Sequence, residues 1–164
     1  MKEDYSELFV SLLVVCRKGA TGKMLAPLLQ KGGKDLVLKR HEQLQTALHI
    51  ICIAGTTDDE VVRALLDIGR QHLVEASDDD GKTALHHACS HGASVDVAWS
   101  MLKVGEDRLA MKNDDRQRSP LHCINKCTPV EVIDATIERG GAKELFPRDD
   151  DGDLPVDCLL QQNK

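Results

Sequence analysis

Aromatic side chains are scarce in this sequence: two Phe, one Tyr and one Trp, Trp99, make up 2% of it. Sheets draw on aromatic and β-branched residues, and single-stranded RNA is gripped by stacking on aromatic rings, so the shortage favours packed helices and argues against an RNA-binding face. Long apolar runs are missing as well. No stretch approaches the roughly 18 residues that a membrane span needs, so no membrane partner is expected. The apolar segment from Leu8 to Cys16 is preceded by Glu3, Asp4 and Glu7 where a secretory signal would be basic, so this segment is not expected to be a signal. Tight disulfide spacing is absent among the six cysteines, and a reducing compartment, cytosol or nucleus, is expected. An excess of positive charge is lacking too. At a net charge of -6 the chain repels phosphate backbones at long range, and nucleic acid is not expected as a partner.

What is present is ordinary for a folded protein: 41% hydrophobic and 29% charged residues in 164, the size of one compact domain or one short stack of repeats. Charge is distributed unevenly. Residues 1–40 hold eight Lys/Arg against four Asp/Glu, and the remainder holds thirteen against twenty-three. The strongest signal is self-similarity at a period of about 36. Thr46-Ala47-Leu48-His49 recurs as Thr83-Ala84-Leu85-His86 and as Ser119-Pro120-Leu121-His122, with a degraded copy at Leu154-Pro155-Val156-Asp157. A glycine series keeps the same step: Gly32, Gly69, Gly105, then Gly140 or Gly141, followed by Leu36, Leu73, Leu109 and Leu145. Gly19, Gly55 and Gly92 form a third series.

Each period reads as two short helices. The hydroxyl of each tetrad caps the first, with Pro120 at the favoured first helical position. The second carries apolar residues at helical spacing, as in Val61, Val62, Leu65 and Leu66, and stops at the glycine. Thr57 with Glu60, and Thr128 with Glu131, match the capping box.

A Thr-Pro-Leu-His-like tetrad, two helices, a glycine and a turn resemble the ankyrin repeat, over nearly the whole chain. The fold expected is all-α: an ankyrin-like helix-turn-helix solenoid of four units, 5–36, 37–73, 74–109 and 110–145, with a partial capping unit at 146–164. Gln161, Gln162, Asn163 and Lys164 suit the polar face of a closing cap.

No catalytic constellation emerges, and no enzyme activity or cofactor is expected. His49, His86 and His122 share one tetrad place, where the resemblance implies a hydrogen bond that holds the turn. Cys16, Cys52 and Cys89 share another and are expected to fill the core as small hydrophobes. Gly81-Lys82-Thr83 ends like a phosphate loop but has Ala76 where that motif needs glycine. Asp78 to Asp80 and Asp149 to Asp151 lack the alternating ligands and the later glutamate of a calcium loop, for which His87 and Cys158 stand instead. With Asp114 and Asp115 they fall in successive turns and are expected to form an acidic edge facing a basic surface of a partner.

The resemblance also implies a concave groove lined by the fifth, eighth and ninth residues of each unit, counted from the tetrad. These are Val14, Arg17 and Lys18; Ile50, Ile53 and Ala54; His87, Ser90 and His91; Cys123, Lys126 and Cys127. Trp99 is expected as an exposed second contact on a second helix. The function expected is a non-catalytic scaffold that binds another protein, free or as a subunit of a larger assembly. The alternative is a zinc-dependent protein using His87, His91, Cys123 and Cys127, which pair at four-residue helical spacing.

Overall fold

The computed structural model describes residues 6–18, 22–55 and 59–161. Gly19, Thr57, Gln162, Asn163 and Lys164, named above, lie outside the described residues. The elements in chain order are α1 (Ser6–Lys18), α2 (Gly22–Val37), α3 (Ala47–Ile53), α4 (Asp59–Val74), α5 (Ala84–His91) and α6 (Val95–Ala110). A 3-10 turn (Pro120–Cys123), α7 (Val130–Gly140), a second 3-10 turn (Ala142–Leu145) and α8 (Pro155–Gln161) follow. Among the described residues there is no strand, and no helix is long and apolar enough to cross a membrane.

The helices stack in two rows. One row runs α1, α3, α5, the Pro120–Cys123 turn and α8; the other runs α2, α4, α6 and α7. The core lies between them. Leu12, Leu48, Leu85 and Leu121 from the first row, and Leu25, Val62, Leu65, Val97, Leu102 and Val132 from the second, are fully buried. Such burial is worth roughly 1.5 to 3 kcal/mol for each large aliphatic side chain. Cys16, Cys52 and Cys89 belong to the same core, and desolvation pushes the thiols of Cys16 and Cys52 up to about 12. They remain protonated and inert.

The glycine and leucine series are two sides of one contact. A Cβ on Gly32, Gly69 or Gly105 would stand 2.4, 2.6 and 2.6 Å from the Cβ of Leu36, Leu73 and Leu109. The residue after each glycine turns the chain with a positive φ, at Gly33, Arg70 and Glu106. At Gly140 the opposing atom is Cγ of Glu144, at 2.8 Å, so the fourth member of the series is Glu144 and Leu145 lies one residue past it.

The fourth unit departs from the others. Its first helix is a single 3-10 turn, because Asn125 and Thr128 turn the backbone away. Thr128 Oγ accepts from the N–H of Asn125 and donates to the carbonyl of Cys89, while the Asn125 amide donates to the carbonyl of Ser90. Short polar side chains that bind nearby main chain compete with helix in this way. Thr128 is therefore not the cap of a box with Glu131; Pro129 stands at the start of α7.

Candidate functional site: the groove of the first-helix row

Each tetrad builds the same device. The N–H of Thr46, Thr83 and Ser119 donates to Nδ1 of His49, His86 and His122, at 3.2, 3.1 and 3.1 Å. Nδ1 is thus an acceptor, and the proton sits on Nε2. From there His49 donates to the carbonyl of Lys82 at 3.1 Å, and His86 to that of Arg118 at 3.0 Å, each tying one unit to the next. The buried Nε2 of His122 has no such partner among the described residues. Burial, partly opposed by these carbonyls, pushes the imidazoles of His49 and His86 down to about 4, so both are neutral.

The turns between units carry the acidic clusters, and these are not uniformly exposed. Asp78, Asp114 and Asp149 are folded beneath their turns, 6%, 3% and 9% exposed, which removes them from the expected acidic edge. Asp79, Asp80, Asp115, Asp150 and Asp151 remain outside. The turns are stitched together: the N–H of Asp79, Asp115 and Asp150 donates to the carbonyl of Gln43, Asp80 and Arg116, each at 3.1 Å.

Between α1 and α3 the first row opens into a hollow of about 620 Å³. Val14 and Arg17 line it from α1, Ile50 and Ile53 from α3, Ala54 from the turn just after it, and His87 and His91 from α5. Seven of the expected groove residues therefore meet. Lys18 is exposed on α1 beside them, and Ser90 is occupied in hydrogen bonds to the His87 carbonyl and the ring of His91. His87 lies between His49 and His91, with ring centroids 5.8 Å away on either side. Its Nε2–H donates to Oδ2 of Asp78 at 2.7 Å.

Three expectations change. Lys126 and Cys127 sit in the turn that follows the shortened first element of the fourth unit, so with Cys123 they do not share a helix face. The zinc arrangement loses its premise for that reason, and His87 faces a carboxylate instead. Among the described residues the group of possible ligands that lies within 4.8 Å is Asp149, Asp153 and Cys158, and one oxygen of Asp149 already accepts from the N–H of Asp151 and Asp153. Trp99, expected to be exposed, is half-buried in a second hollow of about 760 Å³ on the other row, with the Arg139 guanidinium 5.7 Å from its ring centre.

The groove also includes residues not foreseen: Phe9, Val10 and Leu13 of α1, and His41, Gln43 and Gln45 of the first turn. The signal for the first three was present in the segment Leu8 to Val15, too apolar for a helix with one buried face. Val10 is 61% exposed and Val14 47%.

Comparison with known proteins agrees with the repeat architecture. The family model described as ankyrin repeats, three copies, matches residues 12–110. The chain is 31% identical to the SMC5-SMC6 complex localization factor protein 1 of Bos taurus, and 30% to that of Homo sapiens, each over 71% of this chain and 10% of the relative. It is 29% identical to diacylglycerol kinase zeta of Rattus norvegicus, over 74% of this chain and 12% of that protein. The chain thus spans about a tenth of the length of these relatives. The tetrads, the glycine contacts, the two rows of helices and the matched segment together make this chain a member of the ankyrin repeat family.

Proposed function

We propose that this chain is a non-catalytic protein-binding scaffold whose partner occupies the hollow between α1 and α3 and meets the outer aspartates of the turns with a basic surface. The observation that carries this is the exposure of Val10 and Val14 in a hollow that also holds the buried Phe9 and the partly buried Leu13 and Ile50, which pack on the core. Exposed aliphatics in a concave, mostly apolar wall are the mark of an interface. One relative is by its name a localization factor of a complex, in keeping with a place in a larger assembly, and the spacing of the cysteines supports a reducing compartment, cytosol or nucleus.

The test replaces Val14 and Ile53 by glutamate together. Both border solvent, so the helical signal and the unfolding midpoint should change little, while the complex isolated by crosslinking from the source cell weakens at least about tenfold, or about 1.4 kcal/mol. A folded double variant that holds its partner with unchanged affinity removes the groove as the binding surface.

A further inference from the structure

Four turns between units follow one backbone course. In each, the first residue's N–H donates to the fifth residue's carbonyl: His41 to Gln45, Asp78 to Lys82, Asp114 to Arg118 and Asp149 to Asp153, at 2.7, 2.8, 2.9 and 3.0 Å. The fourth residue, Leu44, Gly81, Gln117 or Gly152, has a positive φ and donates back to the first. In three of the turns the first residue is an aspartate whose Oδ1 accepts two more main-chain N–H groups, those of the third and fifth residues. The distances are 3.1 and 2.9 Å at Asp78, 2.9 and 2.9 Å at Asp114, and 3.1 and 2.8 Å at Asp149.

The first turn has the same frame and no carboxylate. His41 stands in the aspartate's place, is exposed, and makes neither bond, so the N–H groups of Gln43 and Gln45 have no acceptor among the described residues. The equivalence of the four frames places these two donors as a pair converging on the point that an aspartate oxygen holds in the other turns. This is also the turn that borders the aliphatic hollow, and Arg17 lines the same hollow.

We propose that this pair of N–H groups receives the side-chain carboxylate of an aspartate in an extended segment of the partner protein, with a neighbouring aliphatic side chain of that segment entering the hollow. The partner thereby supplies the oxygen that Asp78, Asp114 and Asp149 supply from within the chain. Charge-assisted bonds from main-chain N–H to a carboxylate are the strong kind, and Arg17 adds the opposite charge. Val10, Val14 and Ile53 take the aliphatic group, since they present carbon and no donor. The hollow continues past the turn as far as His91 of α5, which suits a segment that runs on beyond its carboxylate. This inference rests on the groove as the binding surface and names what the groove selects.

The test uses the 15N-labelled chain and acetylated, amidated nine-residue peptides holding one Asp and one Leu, separated by zero to three glycines in either order. Matched peptides carry Asn for Asp, and another has a free terminal carboxylate and no Asp. The Asp peptides should shift the Gln43 and Gln45 amide proton signals saturably, and the Asn peptides should bind at least tenfold more weakly. His41→Asp gives the turn its own carboxylate, so its Gln43 and Gln45 signals should lie at the shifted positions without peptide, and it should no longer distinguish Asp from Asn. Arg17→Gln should weaken the Asp peptides alone. Unmoved Gln43 and Gln45 signals, an Asp preference that survives His41→Asp, or a response confined to the free carboxyl terminus overturns the proposal. Peptides that perturb Val14 and Ile53 equally with Asp or Asn overturn it too, while leaving the groove in place; failure of the groove itself is read separately from the Val14 and Ile53 glutamate variant and the natural partner.

Discussion

Gly69 ends its helix against Leu73 and Val37, and a methyl group there would meet atoms at 2.6, 2.9 and 3.0 Å. Gly69→Ala should therefore destabilise by roughly 1 to 3 kcal/mol, the usual range for overpacking a filled site, as read from urea unfolding. The next residue calls for the opposite change. Arg70 has φ 47° and ψ -141°, a region that side chains rarely adopt and that Gly33 occupies in the first unit. Arg70→Gly should release strain and raise stability by roughly 1 kcal/mol. Equal effects of one sign at the two positions would mean that the reversal is not set by this geometry. The glycine series was plain in the sequence, but its cause was not, because a contact between residues four apart requires knowing that the helix breaks between them. The same gap made Leu145 look like the fourth leucine, when the reversal at Gly141 brings Glu144 to that place.

The paired helices depend on neutral histidines at the starts of α3 and α5. An unfolded imidazole titrates near about 6.5, whereas burial holds His49 and His86 at about 4. Between those values the unfolded chain binds protons that the folded chain does not. Stability is therefore fully present above about pH 6.5 and falls by about 1.4 kcal/mol per pH unit for each histidine below it. Asp78 and Asp114 extend the loss to lower pH. Burial, the largest influence, raises both carboxyls, but hydrogen bonds from His87 and main-chain N–H at Asp78, and from Arg118 and main-chain N–H at Asp114, together hold them below the ordinary range. Their contribution is present above about pH 4 and disappears as pH falls through their folded values. Urea midpoints at pH 7.5, 6, 5 and 4.5 should decline steeply below 6.5; a flat profile down to pH 5 would show that these imidazoles are not held neutral. The tetrad made the helix starts legible, since Thr46, Thr83 and Ser119 announce them. The loss of a helix after Pro120 was not legible, because Asn125 and Thr128 act through Ser90 and Cys89 of the unit before.

Across the molecule, charge runs from basic residues in the first forty to exposed aspartates on the later turns. A partner with the reverse gradient is drawn in already aligned. Its association rate should fall severalfold as ionic strength rises past physiological, where exposed charges are screened beyond roughly 8 Å, with dissociation changing less. A salt-independent association rate would leave the turn aspartates as turn chemistry alone. The groove was legible in the sequence as far as the period reached: Ile50, Ile53, His87 and His91 keep their places, but the first turn's contribution lay in what His41 lacks beside Asp78, Asp114 and Asp149, a difference that has meaning only when four backbones superpose. The histidine ties carry a mechanical consequence. Under tension applied to its two ends the stack from α3 to α8 is a series of three links, each with one ladder bond between turns. His49 and His86 add an imidazole bridge to theirs, whereas Nε2 of His122 has no partner among the described residues, so of these three links the one holding α8 is the weakest and should yield before the other two.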